Sequence, residues 1–128
     1  MQEKLSWTID MDAGPIYVQI GQNVRRLIAR EDLRPGDKLP SARELAQVLG
    51  VNPNTVVHAY SRLEFEGMIE TRRGLGTFVR ADAPVRTTKK EILTKAAKRY
   101  ATEVQALDVS QEEAMNVLKE VLDAGTTS

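Results

Sequence analysis

Between residues 52 and 62 the run NPNTVVHAYSR gathers two side-chain amides, two hydroxyl-bearing residues outside the aromatic ring, one imidazole and one guanidinium. Groups of this kind donate and accept hydrogen bonds; at this spacing they form no nucleophile–base pair. Asn52 reads as a helix N-cap and Pro53 as the first helical residue, where a missing N–H costs nothing. Asn54 and Thr55 then occupy the exposed first turn. Val57, His58, Ser61 and Arg62 share an outward face, opposite an apolar stripe of Val56, Tyr60 and Leu63. Amides and hydroxyls at such a position can bond base edges or phosphates. The helix start adds free N–H groups and a partial positive charge. An exposed Val57 is explained by contact with a thymine methyl.

Two further groups fit the same chemistry. Arg43 lies in the first turn of SARELAQVLG, a helix opened by the capping box Ser41/Glu44 and stopped by Gly50. It lies off the stripe Leu45, Val48 and Leu49, free to reach a phosphate or, bidentately, a guanine edge. The run RRGLG at residues 72–76 pairs two cations with glycines at 74 and 76, between two β-prone segments. A hairpin tip of this kind can lie along a DNA backbone or in the minor groove. Each feature also has a plain reading. Asn and Thr near a helix start are commonly only caps, a lone Arg is commonly a solvated surface group, and the hairpin can be an ordinary turn. Their order and spacing together favour nucleic-acid binding.

The elements that position these groups follow from periodicity. Residues 1–13 read as a loose lead-in, with Trp7 available to pack down. Pro15 opens a helix through about Arg30, with Ile16, Ile20, Val24, Leu27 and Ile28 on one face. LRPGD is a turn and Lys38-Leu39-Pro40 a short extended piece. Two helices joined by a short Gly-containing turn and followed by a hairpin make a winged helix-turn-helix, whose second helix enters the major groove. The expected fold is mainly α with a small β-hairpin: a winged helix-turn-helix over 13–80, a linker over 81–87 and a two-helix segment over 88–125. The first tail helix runs to about Thr102. The second opens at a further capping box, Ser110/Glu113, and stops at Gly125.

Composition bounds the rest. The 128 residues carry no net charge, yet residues 13–80 hold 10 Lys and Arg against 7 Asp and Glu. The expected binding segment is therefore modestly basic. There is no cysteine and a single histidine, so neither a metal site nor a cofactor is expected. Gly74-Leu75-Gly76 sits in a hairpin rather than between a strand and a helix, so it is no nucleotide loop. No catalytic pair is visible, and the chain is not expected to be an enzyme. The start MQEKLSWTIDMDAG lacks a basic segment followed by an apolar run, and no stretch approaches a membrane span. A cytoplasmic protein without membrane partners is expected.

The run PIYVQIGQNVRRLIAREDLRPGDKLPSARELAQVLGVNPNTVVHAYSRLEFEGMIETRRGLGTFV, residues 15–79, resembles the DNA-binding domain of the GntR family of bacterial transcription regulators. The likeness lies in the PIYxQI opening, the LxPGDxLPSxRELA block, the GVNPNTV turn and the EGxIETRRGxGTFV wing. The resemblance implies DNA contacts from Arg43, from Asn52, Asn54 and Thr55, and from Arg73 and Gly74. His58 departs from it, since related proteins often hold a larger cation there. The full expected interface is Ser41, Arg43, Asn52, Asn54, Thr55, Val57, His58, Arg62, Arg72, Arg73, Gly74 and Gly76.

About 48 residues follow Arg80, too few for the large effector or aminotransferase-like domains of other family branches. Two helices of that length resemble the YtrA-like subfamily and imply a homodimer. Ile92, Leu93, Ala96, Tyr100, Val117, Leu118 and Val121 are the expected dimerisation residues, because a two-helix tail buries its own apolar faces poorly. The resemblance implies a repressor bound to double-stranded operator DNA, and leaves room for an unidentified small-molecule effector. The runner-up reading is a winged-helix protein-interaction module with no specific DNA readout.

Overall fold

A computed structural model describes residues 7–126 of the chain. The chain forms two compact units that divide between Lys90 and Glu91. The first is a winged helix. Helix α1 (Ile16–Ala29) is followed by strand β1 (Lys38–Leu39), helix α2 (Ala42–Leu49), helix α3 (Pro53–Phe65) and strands β2 (Ile69–Arg72) and β3 (Gly76–Val79). Helix α4 (Val85–Leu107) contributes residues to both units, and α5 (Gln111–Thr126) belongs to the second.

The extended piece at Lys38-Leu39 does more than connect. It pairs with the hairpin, Lys38 opposite Phe78 and Leu39 opposite Thr77, so the sheet has three antiparallel strands in the order β1-β3-β2. Ile69 faces Val79 and Arg72 faces Gly76 across the hairpin. Ile20, Val24 and Ile28 of α1 meet Leu39, Leu45, Val56, Leu63, Ile69 and Val79 in one fully buried cluster. Burial of such side chains contributes roughly 1.5–3 kcal/mol each, before the entropy of ordering them is subtracted. Arg25 reaches from α1 to the carboxylate of Glu66 just past α3, with its Nε 3.1 Å from Oε1.

Several local expectations change. Pro15 stands at the N-cap of α1 rather than inside it. On α2, Val48 is 74 % exposed and Ala46 is buried in its stead, because a helix of 8 residues has room for one short contact strip and small Ala46 allows close approach. The lead-in is tied down. Asn23 accepts from the Thr8 N–H (3.1 Å) and donates to the Thr8 carbonyl (2.9 Å), and Gln19 does the same with Asp10 (2.8 Å each way). Trp7 and Ile9 pack against the core, so the first unit begins at least six residues before residue 13. Finally, residues 85–87 are helical rather than linker. The Pro84 carbonyl accepts from the Thr88 N–H at 2.9 Å, so the proline that signals a linker begins a helix. Thr88 is buried, its hydroxyl 3.7 Å from the Met68 sulfur. The helix outruns Thr102 and ends at Leu107, just before Asp108, whose φ of 56° is left-handed.

In the second unit the Tyr100 hydroxyl donates to the Ala114 carbonyl at 2.7 Å, and Ala114 is the one buried apolar residue among those described there. Only half of the second capping box forms: Ser110 Oγ accepts from the Glu113 N–H at 3.1 Å. Gly125 lies within α5 instead of ending it.

Candidate nucleic-acid interface

The site is built from three helix and strand ends. At the start of α2, the Glu44 N–H donates to Ser41 Oγ (3.1 Å) and the Ser41 N–H donates back to Glu44 Oε1 (2.9 Å). The bond from the Ser41 backbone, then that from its side chain, holds the Glu44 carboxyl below its ordinary range. This box consumes Ser41 locally. It leaves Arg43, one residue earlier than Glu44, exposed and without an ion pair among the described residues.

Gly50 ends α2 in the left-handed conformation (φ 70°), which reverses the chain within three residues. Asn52 then caps α3, its Oδ1 accepting from the Asn54 N–H at 2.8 Å. The Asn52 oxygen is spent on the helix; only its NH₂ remains for an outside partner. Asn54 is exposed and Thr55 half-buried. Val57 is 49 % exposed on the same helix. The α3 stripe holds as expected, with Val56, Tyr60 and Leu63 buried and Ala59 added to them. Tyr60 donates to the Pro40 carbonyl at 2.7 Å and so locks α3 to the approach of α2. Burial pushes its phenol well above the ordinary value.

His58 and Arg62 do not simply face solvent. Tyr17 of α1 stacks on the His58 ring, centroids 4.0 Å apart and planes at 14°, and the Arg62 guanidinium carbon lies 5.9 Å from the same tyrosine ring. Tyr17 is the residue that sequence reasoning missed here. It lies in the PIY opening, off the apolar stripe of α1, and no periodicity links it to α3.

The wing separates its two arginines. Arg72 is held by Glu70 (Nε 3.1 Å, Nη2 2.8 Å) and lies over the Phe78 ring at 4.5 Å. Arg73 is exposed at the tip and has no ion pair among the described residues. The tip is closed by the Leu75 N–H on the Arg72 carbonyl at 2.9 Å, with Gly74 at φ 77°. Gly76 has a different duty. Its φ is +126°, a backbone conformation that side chains rarely adopt, and the flexible Lys38 side chain passes over it. Glu64 accepts from the Thr71 N–H at 3.1 Å and ties the wing to α3. Between the α2 start, α3 and the wing lies an open cleft of about 290 Å³, lined in part by Lys38, Ser41, Val57, Ser61 and Thr77.

The arrangement leaves Arg43 at the start of α2, Asn54 at the start of α3 and Arg73 at the wing tip as exposed donors, with no metal-holding cluster among the described residues. It can bind a polyanion and present an amide to a base edge.

Comparison with known proteins agrees with this geometry. The family profile described as bacterial regulatory proteins, gntR family, matches residues 16–79. The HTH-type transcriptional regulator YhcF of Bacillus subtilis (strain 168) is 38 % identical over 112 residues, covering 87 % of this chain and 93 % of that protein. The HTH-type transcriptional repressor YtrA of the same organism is 54 % identical over 69 residues, 54 % of this chain and 53 % of its own. A solved GntR family transcriptional regulator from Listeria monocytogenes superposes with a TM-score of 0.82 at 33 % identity, covering 88 % of this chain and 98 % of that one. The chain belongs to the GntR family of bacterial transcription regulators, whose profile its residues 16–79 match.

Proposed function

We propose that the protein acts in the cytoplasm as a homodimeric repressor that binds an inverted-repeat operator. Each subunit lays the start of α3 in one major-groove half-site, the two half-sites lying about 34–36 Å apart. Asn54 and Thr55 meet base edges, Val57 meets a thymine methyl, and the wing tip runs along the backbone with Arg73. Arg43 supplies the strongest single contact. The observation that carries the reading is an exposed Arg43 with no ion pair among the described residues, in the first turn of the helix that packs against α3, whose own first turn holds the exposed Asn54. An arginine left without a carboxylate partner keeps its full fork for a guanine or a phosphate. The repressor sense is supported by the likeness to YtrA. Dimerisation through α4 and α5 is supported by the exposure of Leu93, Leu107, Met115, Val121 and Leu122, each at 61 % or more.

The test is selection of bound duplexes from a random DNA pool, with Arg43→Ala run in parallel. The expected result is enrichment of an inverted repeat by the wild type. Arg43→Ala should lose about 1–3 kcal/mol on that site if Arg43 reads a base, or about one unit of salt slope if it neutralises phosphate. Equal binding by both proteins at every salt concentration would sink the assignment of Arg43.

A further inference from the structure

Helix α1 serves mainly as scaffold: its apolar stripe closes the core and its amides hold the chain start. Tyr17 breaks that pattern. It is half-buried at the beginning of α1, and its ring touches side chains of α3 rather than only the core. His58 and Arg62 are four residues apart on α3, one turn above the other on the same helix face. Tyr17 meets both: a near-parallel stack with His58 at 4.0 Å and 14°, and the guanidinium of Arg62 at 5.9 Å from its centroid. Neither His58 nor Arg62 has a side-chain ion pair or hydrogen bond of its own among the described residues. The tyrosine ring is therefore what restrains their orientation.

We infer that Tyr17 is a positioning residue for DNA readout, a bracket on α1 that presents His58 and Arg62 to the operator flank in one preset orientation. The inference rests on the DNA-reading role proposed above. The physical reason is entropic and electrostatic. A free arginine side chain loses much rotamer freedom on binding, and a ring that already holds it removes part of that loss before DNA arrives. Stacking also fixes the plane of the imidazole, hence where its ring nitrogens point. The bracket is specific to this chain's own pairing of Tyr17 with an aromatic at residue 58; an aliphatic or ammonium side chain at 58 could not stack in this way.

The experiment compares wild type, Tyr17→Leu, Tyr17→Phe, His58→Ala, Arg62→Ala and the double variant Tyr17→Leu/His58→Ala on the selected duplex. His58 ring proton shifts are followed by NMR without DNA. Tyr17→Leu should weaken specific binding roughly three- to tenfold at unchanged melting temperature. Tyr17→Phe should restore the affinity that Leu loses, since a ring without the hydroxyl still stacks. The double variant should bind no worse than about the weaker single variant, because both remove one unit. The His58 ring protons should lie upfield in wild type and Tyr17→Phe and move back in Tyr17→Leu. Should Leu lower the melting temperature, Tyr17→Met serves as the second ring-less variant. A Tyr17→Phe protein as weak as Tyr17→Leu would assign the hydroxyl a direct phosphate contact and overturn the bracket, as would effects that multiply. Wild-type DNA binding left intact by Tyr17→Leu would overturn this inference alone. A wild type that selects no duplex would overturn the DNA-reading role and this inference with it.

Discussion

The winged helix and the tail helices carry the same kind of pattern, apolar residues at helical spacing, and fold it to opposite ends. In the first unit Ile20, Val24, Leu45, Val56 and Leu63 are sealed among themselves and three strands. In the second, Val117 is 44 % exposed, Val121 62 % and Leu122 61 %, and among the described residues only Ala114 is buried. Ile92, Tyr100 and Leu118 are half-covered, while Ala96 is exposed. An amphipathic stripe thus states that a face is to be covered, not what covers it. Three helices and a sheet meeting at one point close a core within one chain. Two helices leave their apolar faces open, and exposed apolar area on that scale marks an interaction surface. The dimer proposed above is the second-copy answer.

The sharpest way to break this contrast is to cut one large side chain from each region. Leu63→Ala should cost the first unit about 2–5 kcal/mol in urea unfolding, at any protein concentration. Leu122→Ala should cost little in dilute protein and more as concentration rises, because its partner is another molecule. A Leu122→Ala cost independent of concentration would count against the dimer. Next in size is Leu93→Glu with Val121→Glu. Sedimentation should show a monomer while Trp7 fluorescence of the first unit stays unchanged; persistence of the wild-type dimer would remove these two residues from the interface. Ser41→Ala should remove about 1 kcal/mol from the first unit through loss of the α2 cap. No change in the unfolding midpoint would mean that the box contributes nothing in solution.

The smallest effects concern pH. Glu44 has a lowered folded-state pKa, so its contribution is present above the unfolded carboxylate value of about 4.3 and is lost as pH falls through the folded value. Glu44→Gln should flatten the acid limb of stability against pH. Tyr60 is shifted the other way. Its contribution is intact below the ordinary phenol value of about 10 and erodes as pH rises above it. Tyr60→Phe should remove that alkaline erosion, along with the bond to Pro40.

Much of the site was legible because its signals are local. The Ser41 box, the Asn52 cap, Gly50 and the tip glycine at 74 each depend on neighbours within four residues, and all formed as read. What escaped depends on partners far along the chain. Lys38-Leu39 read only as a short extended piece, because the strand that pairs with it lies some forty residues on. Arg72 and Arg73 looked equivalent as a pair of cations; the Glu70 carboxylate and the Phe78 ring distinguish them. Gln19 and Asn23 carry no local signal of burial, yet they are buried under backbone that they hydrogen-bond. Pro84 was ambiguous in principle, since the same fixed φ suits a linker and a helix start.

The sequence by itself determined where helices start and stop, which faces are apolar, and that a capped, amide-rich helix start stands next to an arginine and a glycine-tipped hairpin. Those are consequences of short-range geometry, and short-range geometry is written in consecutive residues. Only the tertiary structure decided which arginines are spent on carboxylates and which stay open. It also decided that a tyrosine on α1 grips two residues of α3. The physical reason is that hydrogen bonds, ring stacking and charge pairing act over a few ångströms of space. Residues 17 and 58 come within that range only after α1, α3 and the sheet have closed over a common core.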